Sequence, residues 1–583
     1  MRAGLAAWLW CAAGGALWVA GGCGPMFTAD TSGSGGEGGS WNTGGSGATG
    51  GGGEGACSDA DLDGDGLSEC DGDCDDGNPL IPGPTEICGD GIDNDCKGGA
   101  DPESICKGLG TFVSPDGDDK NPGTTERPVR TLKKGIEHAQ QIGPNTFVYV
   151  AEGRYEEDVL LTQHISLKGG HDATSWTWNP AAHPSVIACT SFTCVRANST
   201  ISRSTVVEGF TIQAQDGAPA NAPGGVTITL DGGSPILRGN RIIGGHINGN
   251  VNNAKRSIAV HVLGSPSEQL GALINDNVIE AGNSENDASI GVLIESQAAA
   301  QVGENQIRSG SGQSSFGIID SGARPDTKVF KNRIQAGTAM NGVSYGMTTR
   351  GDVLIDSNLI NTDMGTPPVC LSVSYWCGGI ASYSSASRIV NNVIFGASAD
   401  QSAAIYLPEL DVPAPDIHIN SNYLDATGNG STSVSAKSAA IVLGSPYAGG
   451  NPNAQYAIIR NNTLIGGRNQ YRYGVYEETV LNQTANPKGF TNNLFFFMPQ
   501  SGGNEYLYRR WNGTSAVNFA MLGALPAAYT GNVQGDPKVD TEFRLTAGSP
   551  CIGAGTIEDA PTHDFIDGAR PQGIYDIGPH EVP

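Results

Sequence analysis

The chain has 583 residues, with 60 carboxylates against 33 lysines and arginines, a formal net charge of −27 at pH 7, and only 16% charged residues. A surplus of negative charge on this scale repels phosphate, so nucleic acid is excluded as a partner. At 38% hydrophobic residues the chain as a whole is too apolar for a disordered polymer, and it is long enough for several structural units.

The N-terminus reads as an export signal. Arg2 is the only charge before an apolar run from Leu5 to Val19, and the small residues Ala20-Gly21-Gly22 lead to Cys23. The run falls short of the roughly 20 strongly apolar residues that span a bilayer. Its ending resembles a bacterial lipoprotein signal, although Ala20 stands where such signals usually carry Leu. The resemblance implies that Cys23 carries lipid and anchors the protein at the bacterial outer membrane or cell surface, with plain secretion as the alternative. Residues 1–22 are thus assigned to the signal. Residues 23–56, almost entirely Gly, Ser, Thr and Asn in character, form a flexible tether.

The next segment, 57–106, holds six cysteines and fifteen carboxylates against a single basic side chain, Lys97, and so carries −14 of the total −27. The spacing Asp59-x-Asp61-x-Asp63-Gly64-Asp65-Gly66 puts oxygens on alternate residues of a glycine-broken loop, as hard cations are wrapped. Asp59, Asp61, Asp63 and Asp65 are the leading metal ligands. Asp73, Asp75 and Asp76 complete the site or form a second one, and Asp93 and Asp95 are further candidates. The all-oxygen donor set argues for Ca²⁺ over copper. An EF-hand would need Glu at its twelfth position, and counting from Asp59 or Asp61 that position is Cys70 or Gly72. Disulfides among Cys57, Cys70, Cys74, Cys88, Cys96 and Cys106 are favoured over zinc, because no C-x₂-C pair and no His falls in the segment. Cys189 with Cys194 and Cys370 with Cys377 form local pairs, and Cys551 remains as a buried free thiol.

Beyond Leu109 the composition shifts to short β-type runs. One helical period stands out at Arg130–Ile142, with Leu132, Ile136 and Ala139 on one face. This segment lies within an N-terminal cap at 109–145, placed to lid the first coil just before the strand Phe147–Val150. A motif of polar residue, Asn, one residue, aliphatic residue then recurs with its Asn at 240, 277, 305, 332, 358, 392, 422, 462 and 493. Coils of two or three short strands cannot bury an apolar face alone, but stacking pairs each strand with its copies above and below. Asparagine tolerates the left-handed backbone region at corners, and stacked asparagines can hydrogen-bond along the axis. The spacing therefore predicts an all-β fold, a right-handed parallel β-helix over 146–535, with 536–583 closing the far end.

Three resemblances accompany this reading. Asp116-Gly117-Asp118 … Asn121-Pro122-Gly123-Thr124 … Pro128-Val129-Arg130-Thr131-Leu132 resembles the opening of pectate-lyase-like β-helix proteins. Phe543-Arg544-Leu545 … Gly548-Ser549-Pro550-Cys551-Ile552 resembles the closing segment of bacterial surface β-helix proteins. Asp73-Cys74-Asp75-Asp76-x-Asn78-Pro79 and Asp90-Gly91-Ile92-Asp93-Asn94-Asp95-Cys96 resemble the metal-binding repeat named after the copper protein MopE, with Lys97 where an Asp is usual.

No catalytic residue is assigned. Glu156-Glu157-Asp158 and Glu477-Glu478 read as surface runs, and Asp416-x-His418 as a solvent-facing pair. Tyr471, Tyr473 and Tyr476, then Tyr506, Tyr508 and Trp511 with Arg509 and Arg510, cluster in two loop-like places and suit stacking on sugar rings. Packing at coil corners is the competing account. The expected protein is a monomeric, lipid-anchored surface molecule, structural or polysaccharide-binding. A polysaccharide lyase or glycoside hydrolase is the runner-up.

Overall fold

The computed structural model describes residues 110–583 except 218–223, 248–254, 265–270, 296, 363–367, 373–374, 384–385, 409–415, 445–456, 479–485, 501, 513, 572 and 583, together with 67, 68, 70, 72–75, 81, 93 and 95–97. The signal, Cys23 and the tether lie outside the described residues. Among the described residues no helix is long and apolar enough to cross a membrane.

Among the described residues, three thirteen-stranded sheets run side by side. Every neighbouring pair of strands is parallel except the last pair of one sheet, Asn504–Trp511 against Ala516–Phe519. The chain visits the sheets in a fixed cycle. One coil, for example, passes through Ile236–Arg238 in the first sheet, Arg241–Ile243 in the second and Arg256–Leu263 in the third. This is the expected parallel β-helix.

Each sheet contributes one aliphatic ladder to the core. The first sheet stacks Leu237, Ile274, Val302, Val329, Ile355, Ile389, Ile419 and Ile459 in register. The second stacks Ile242, Ile279, Ile307, Ile334, Ile360 and Ile394. The third stacks Val260, Val292, Ile318, Met347, Ile380, Ile405, Ile441 and Val475. β-branched side chains dominate because their stiff χ1 fits a pleated surface buried in rows.

The corner between the first and second sheets holds the recurring asparagine. Asn240, Asn277, Asn305, Asn332, Asn358, Asn392, Asn422, Asn462, Asn493 and Asn532 form a continuous ladder. Each Nδ2 donates to the Oδ1 of the next at 2.9–3.2 Å. The left-handed backbone falls on the residue before each rung, not on the rung itself. Asp276, Glu304, Lys331, Ser357, Asn391, Ser421, Asn461 and Asn492 all have φ between 52° and 59°. The rung is instead selected for an amide that donates and accepts at once.

The N-terminal end is lidded as expected, with a refinement. The helix spans Leu132–Ile142 and buries Leu132, Gly135, Ile136 and Ala139. A Cβ at Gly135 would lie 2.5 Å from Val113 and 2.9 Å from Val148, so the lid sits too close for any side chain there. Thr131 caps it through Lys134 N at 3.2 Å, and the Glu157 carboxylate accepts from Leu132 N and Lys133 N at 2.8 and 3.1 Å. Glu157 is therefore part of the cap and not an idle surface charge. The first sheet also begins earlier than the sequence suggests. Gly110–Val113 pairs in parallel with Thr146–Ala151, and the helix is the crossover between them.

The far end is plugged by aromatics. All three ladders switch on the last full coil, to Phe490, Phe495 and Tyr508. The Phe490 ring lies 5.9, 5.5 and 5.1 Å from Phe495, Tyr508 and Tyr529, and Leu522 and Leu525 pack alongside. Residues after Gly535 sit elsewhere. They run back along the asparagine corner, where Asn492, Asn461, Asn420 and Asn391 donate in turn to the carbonyls of Ala554, Thr556, Asp559 and His563. This strap clasps successive coils from the side, and the plug is made by residues before it.

Candidate functional site

Two places combine buried polar chemistry with a defined scaffold. The first is the acidic segment. A disulfide joins Cys74 to Cys96, Cys70 is also disulfide-bonded, and residues 73–75 are thereby held beside Asp95, Cys96 and Lys97. Asp75 N donates to Asp73 Oδ1 at 2.8 Å, and Lys97 N donates to both Asp93 Oδ1 and Asp95 Oδ1 at 3.0 and 3.1 Å. Asp73 is buried, and among the described residues its Oδ2 has no hydrogen-bond partner. A buried carboxylate oxygen left unpaired costs about 1–3 kcal/mol or more, and a cation removes that cost. The residues present thus fit a hard cation. Asp59, Asp61, Asp63, Asp65 and Asp76, and Cys57, Cys88 and Cys106, lie outside the described residues.

The second place is the outer face of the third sheet. Its strands turn two consecutive residues into the core, such as Ala404-Ile405 and Ala440-Ile441, and the residues on either side of each pair pack outward as a separate aromatic cluster. In register, that row reads Phe316, Tyr345, Gly378, Ala403, Ala439, Tyr473 and Tyr506. Two aromatics, three small residues and two aromatics follow one another at the strand spacing of about 4.8 Å. A neighbouring row places Ala381, Tyr406, Val442, Tyr476 and Arg509 in register. Phe316, Tyr383, Tyr471 and Tyr506 remain half-buried at the margins.

The polar groups of this face converge on Tyr476. Lys437 Nζ meets its hydroxyl at 2.9 Å, and the Arg509 guanidinium lies 4.4 Å from its ring centroid. Trp376 packs 5.5 Å from the same ring and donates Nε1–H to Glu478 at 2.7 Å. Tyr345 donates its hydroxyl to the Trp376 carbonyl at 2.5 Å. The disulfide Cys370–Cys377 brackets Trp376 and fixes its loop to the sheet. Burial pulls the Lys437 ammonium below its ordinary range and pushes the Tyr476 phenol above its own.

These contacts revise the aromatic clusters read from the sequence. Tyr471, Tyr473 and Tyr476 lie on the strand Tyr471–Glu477, and Tyr506, Tyr508 and Trp511 on Asn504–Trp511, not in loops. Tyr508 faces inward as part of the end plug, so it is no stacking residue. Its hydroxyl donates to Glu477 at 2.6 Å, and Trp511 N donates to the same carboxylate at 2.7 Å. Glu477 and Glu478 are therefore buried partners and not a surface run, and burial raises the Glu477 carboxyl. Tyr473 and Tyr506 do stack, at 5.5 Å and 25°. Asp416 is ion-paired with Lys488, and among the described residues His418 Nδ1 is buried without a partner, so the two are not seen as a dyad. Cys189 and Cys194 are joined, and Cys551 is a buried free thiol.

Comparison with known proteins adds one assignment. Residues 73–102 match the Cu-binding MopE family, described as a metal-binding motif. The chain carries a MopE-type motif. No curated protein matches the chain. Among solved structures, a complex of XylC with xylose aligns at 10% identity over 82% of this chain and 98% of its own, with a TM-score of 0.44. Pectate lyase Pel9A aligns at 12% identity over 82% and 98%, with a TM-score of 0.31. The Dettilon tailspike protein gp208 aligns at 11% identity over 73% and 69%, with a TM-score of 0.34.

Proposed function

We propose that this protein is an exported, lipid-anchored, monomeric surface molecule that binds polysaccharide along the outer face of its third sheet. The single observation that carries the reading is the set of half-buried rings, Phe316, Tyr383, Tyr471 and Tyr506, at the margins of this packed row. The centre of the row, Gly378, Ala403 and Ala439 between Tyr345 and Tyr473, is buried, so an extended sugar chain would follow the ring faces along its margins. From Tyr345 to Tyr473 the row climbs four strand spacings, about 19 Å. The acidic module binds Ca²⁺ through its carboxylates and stiffens the stem between tether and helix. The net charge of −27 keeps nucleic acid away.

A panel of acidic and neutral polysaccharides cast into native gels tests the binding reading. Retardation on at least one polymer, lost when Tyr473 and Tyr506 are changed to Ala, is expected. No retardation on any polymer overturns it.

A second reading, lyase or hydrolase activity, is favoured by one observation. Lys437, its pKa lowered by burial, shares Tyr476 with Arg509 and so offers a base beside a cation. The same panel, followed for new unsaturated or reducing ends, separates the two. Turnover that disappears in Lys437→Met would replace the binding reading with the catalytic one.

A further inference from the structure

The asparagine ladder starts at Asn240, which reaches back to Phe210 N at 3.1 Å. The corner before it, at Gly209, carries no asparagine but is reached by Asn240, and the two coils before that lack the ladder altogether. Their corner between first and second sheets falls at Glu152, between Thr146–Ala151 and Gly153–Glu156, and at residues 172–184, between Ile165–His171 and Ser185–Ala188. At this corner Glu152, Asp172 and His183 converge. His183 Nδ1 lies 3.1 Å from Glu152 Oε2 and 3.7 Å from Asp172 Oδ2, and one ligand atom from each lies within 4.8 Å of the other two. Donors bound to one ion at about 2.0–2.2 Å are separated by roughly these distances.

Three features make this a built arrangement. Asp172 Oδ1 is already engaged by Thr174 N, Ser175 N and Ser175 Oγ at 2.9, 2.6 and 2.9 Å, which aims Oδ2 at His183. The backbone closes the corner from behind, with Glu152 N donating to His171 O at 2.7 Å and Gly153 N to Pro184 O at 3.1 Å. The ion pairs of both carboxylates among the described residues come from His183 alone, so a neutral imidazole leaves two negative charges facing each other.

We propose that Glu152, Asp172 and His183 bind a first-row divalent metal ion, with Zn²⁺ as the matching species, that staples the first coil to the second. One imidazole nitrogen and two carboxylate oxygens suit Zn²⁺ and fall well short of the six to eight oxygens Ca²⁺ takes. The side chains are 26–40% exposed, so water completes the shell. The ion does at this corner what the amide ladder does from Asn240 onward. The site is separate from the acidic module in sequence and in donor chemistry.

The test is calorimetric titration of the full chain with Zn²⁺ in excess Ca²⁺, which occupies hard-cation sites. The wild type is expected to bind one equivalent more than His183→Ala and more than Asp172→Asn, and to gain a rise in Tm on Zn²⁺ that both variants lose. Because a variant could fold poorly, a second measurement uses the wild type alone. Diethylpyrocarbonate modification of His183, read by mass spectrometry, should be suppressed by Zn²⁺ and restored by chelator. Equal stoichiometry and affinity in wild type and folded variants, or His183 modified equally with and without Zn²⁺, overturns the site and leaves a pH-dependent ion pair.

Discussion

Trp376 donates its indole N–H to Glu478 at 2.7 Å across 102 residues of sequence. The bond ties a disulfide-bracketed loop to the end of a strand three coils away in the stack. Trp376→Phe removes this donor from a buried carboxylate and is expected to cost about 1–3 kcal/mol of local stability. Weakened retardation on polysaccharide gels should accompany that loss. Unchanged affinity together with unchanged protease resistance of the loop would place Trp376 outside the binding face.

Asn358 sits in mid-ladder, fully buried. Its Nδ2 donates to Val329 O, Asp356 O and Asn392 Oδ1, and its Oδ1 accepts from Asn332 N and Nδ2. Asn358→Ala strands several buried groups at once and should cost about 3 kcal/mol or more. Solenoids unfold in parts, so the readout is hydrogen exchange by residue and not one melting temperature. Faster exchange should be confined to the coils on either side of the change.

Phe490 closes one ladder and touches three other rings. Phe490→Ala should cost about 3–5 kcal/mol and fray the last two coils first. Limited proteolysis is expected to cut near residues 512–530 in the variant long before the wild type. Concentration-dependent association should follow, because an uncovered strand edge invites pairing.

His563 joins the strap to the stack through Asp356, at 2.9 Å. That hydrogen bond raises the imidazole pKa above its ordinary 6.5, with burial opposing and Asp567 and Arg570 acting with and against it. A pKa higher in the folded than in the unfolded state gives stability that is present below about 6.5 and lost as pH rises through the folded value. Exchange over residues 556–570, corrected for intrinsic rates, should therefore increase between pH 6 and pH 8. In His563→Gln that increase should vanish.

Chelation tests the acidic module. With disulfides intact, EDTA should lower the Tm of the metal-loaded protein, and excess Ca²⁺ should restore it. Asp73→Asn, which alters the buried carboxylate, should shrink the EDTA effect while leaving the β-helix spectrum unchanged. A melting curve indifferent to EDTA would remove calcium from the account.

The β-helix was legible because one physical requirement leaves one residue type. An amide must both donate and accept at every rung, so Asn240 through Asn493 recur at each coil whatever the length between them. Leu132, Ile136 and Ala139 were legible for the same kind of reason, a face with a period. Asn532 escaped because Gln534 breaks the aliphatic end of the motif, yet it accepts from Asn493. The outer face of the third sheet was not legible. Which residues share a row depends on register, and insertions between 26-residue and 40-residue repeats hide it. Trp376 and Glu478 meet only because three coils happen to stack. Tyr508 looked like its neighbours Tyr506 and Trp511, but Leu507 and Tyr508 both turn into the core, a break in the two-residue period that puts Tyr508 on the opposite face from Tyr506. The cysteines around Trp376 were the one available hint that its loop is held in place.

The strap gives the molecule a direction in time. Residues 554–567 reach back to Asn492, then Asn461, Asn391 and finally Lys331, so the part of the chain made later fastens parts made earlier. Coils can stack as they emerge, but the strap clasps none of those from Lys331 onward until Ala554 has been synthesised, and the Lys331 coil waits for Asp567. A ribosome that stalls, or a protease that trims, before residue 554 would release a stack with every rung in place and no clasp. Molecules of that kind would carry a correct fold and a shortened lifetime.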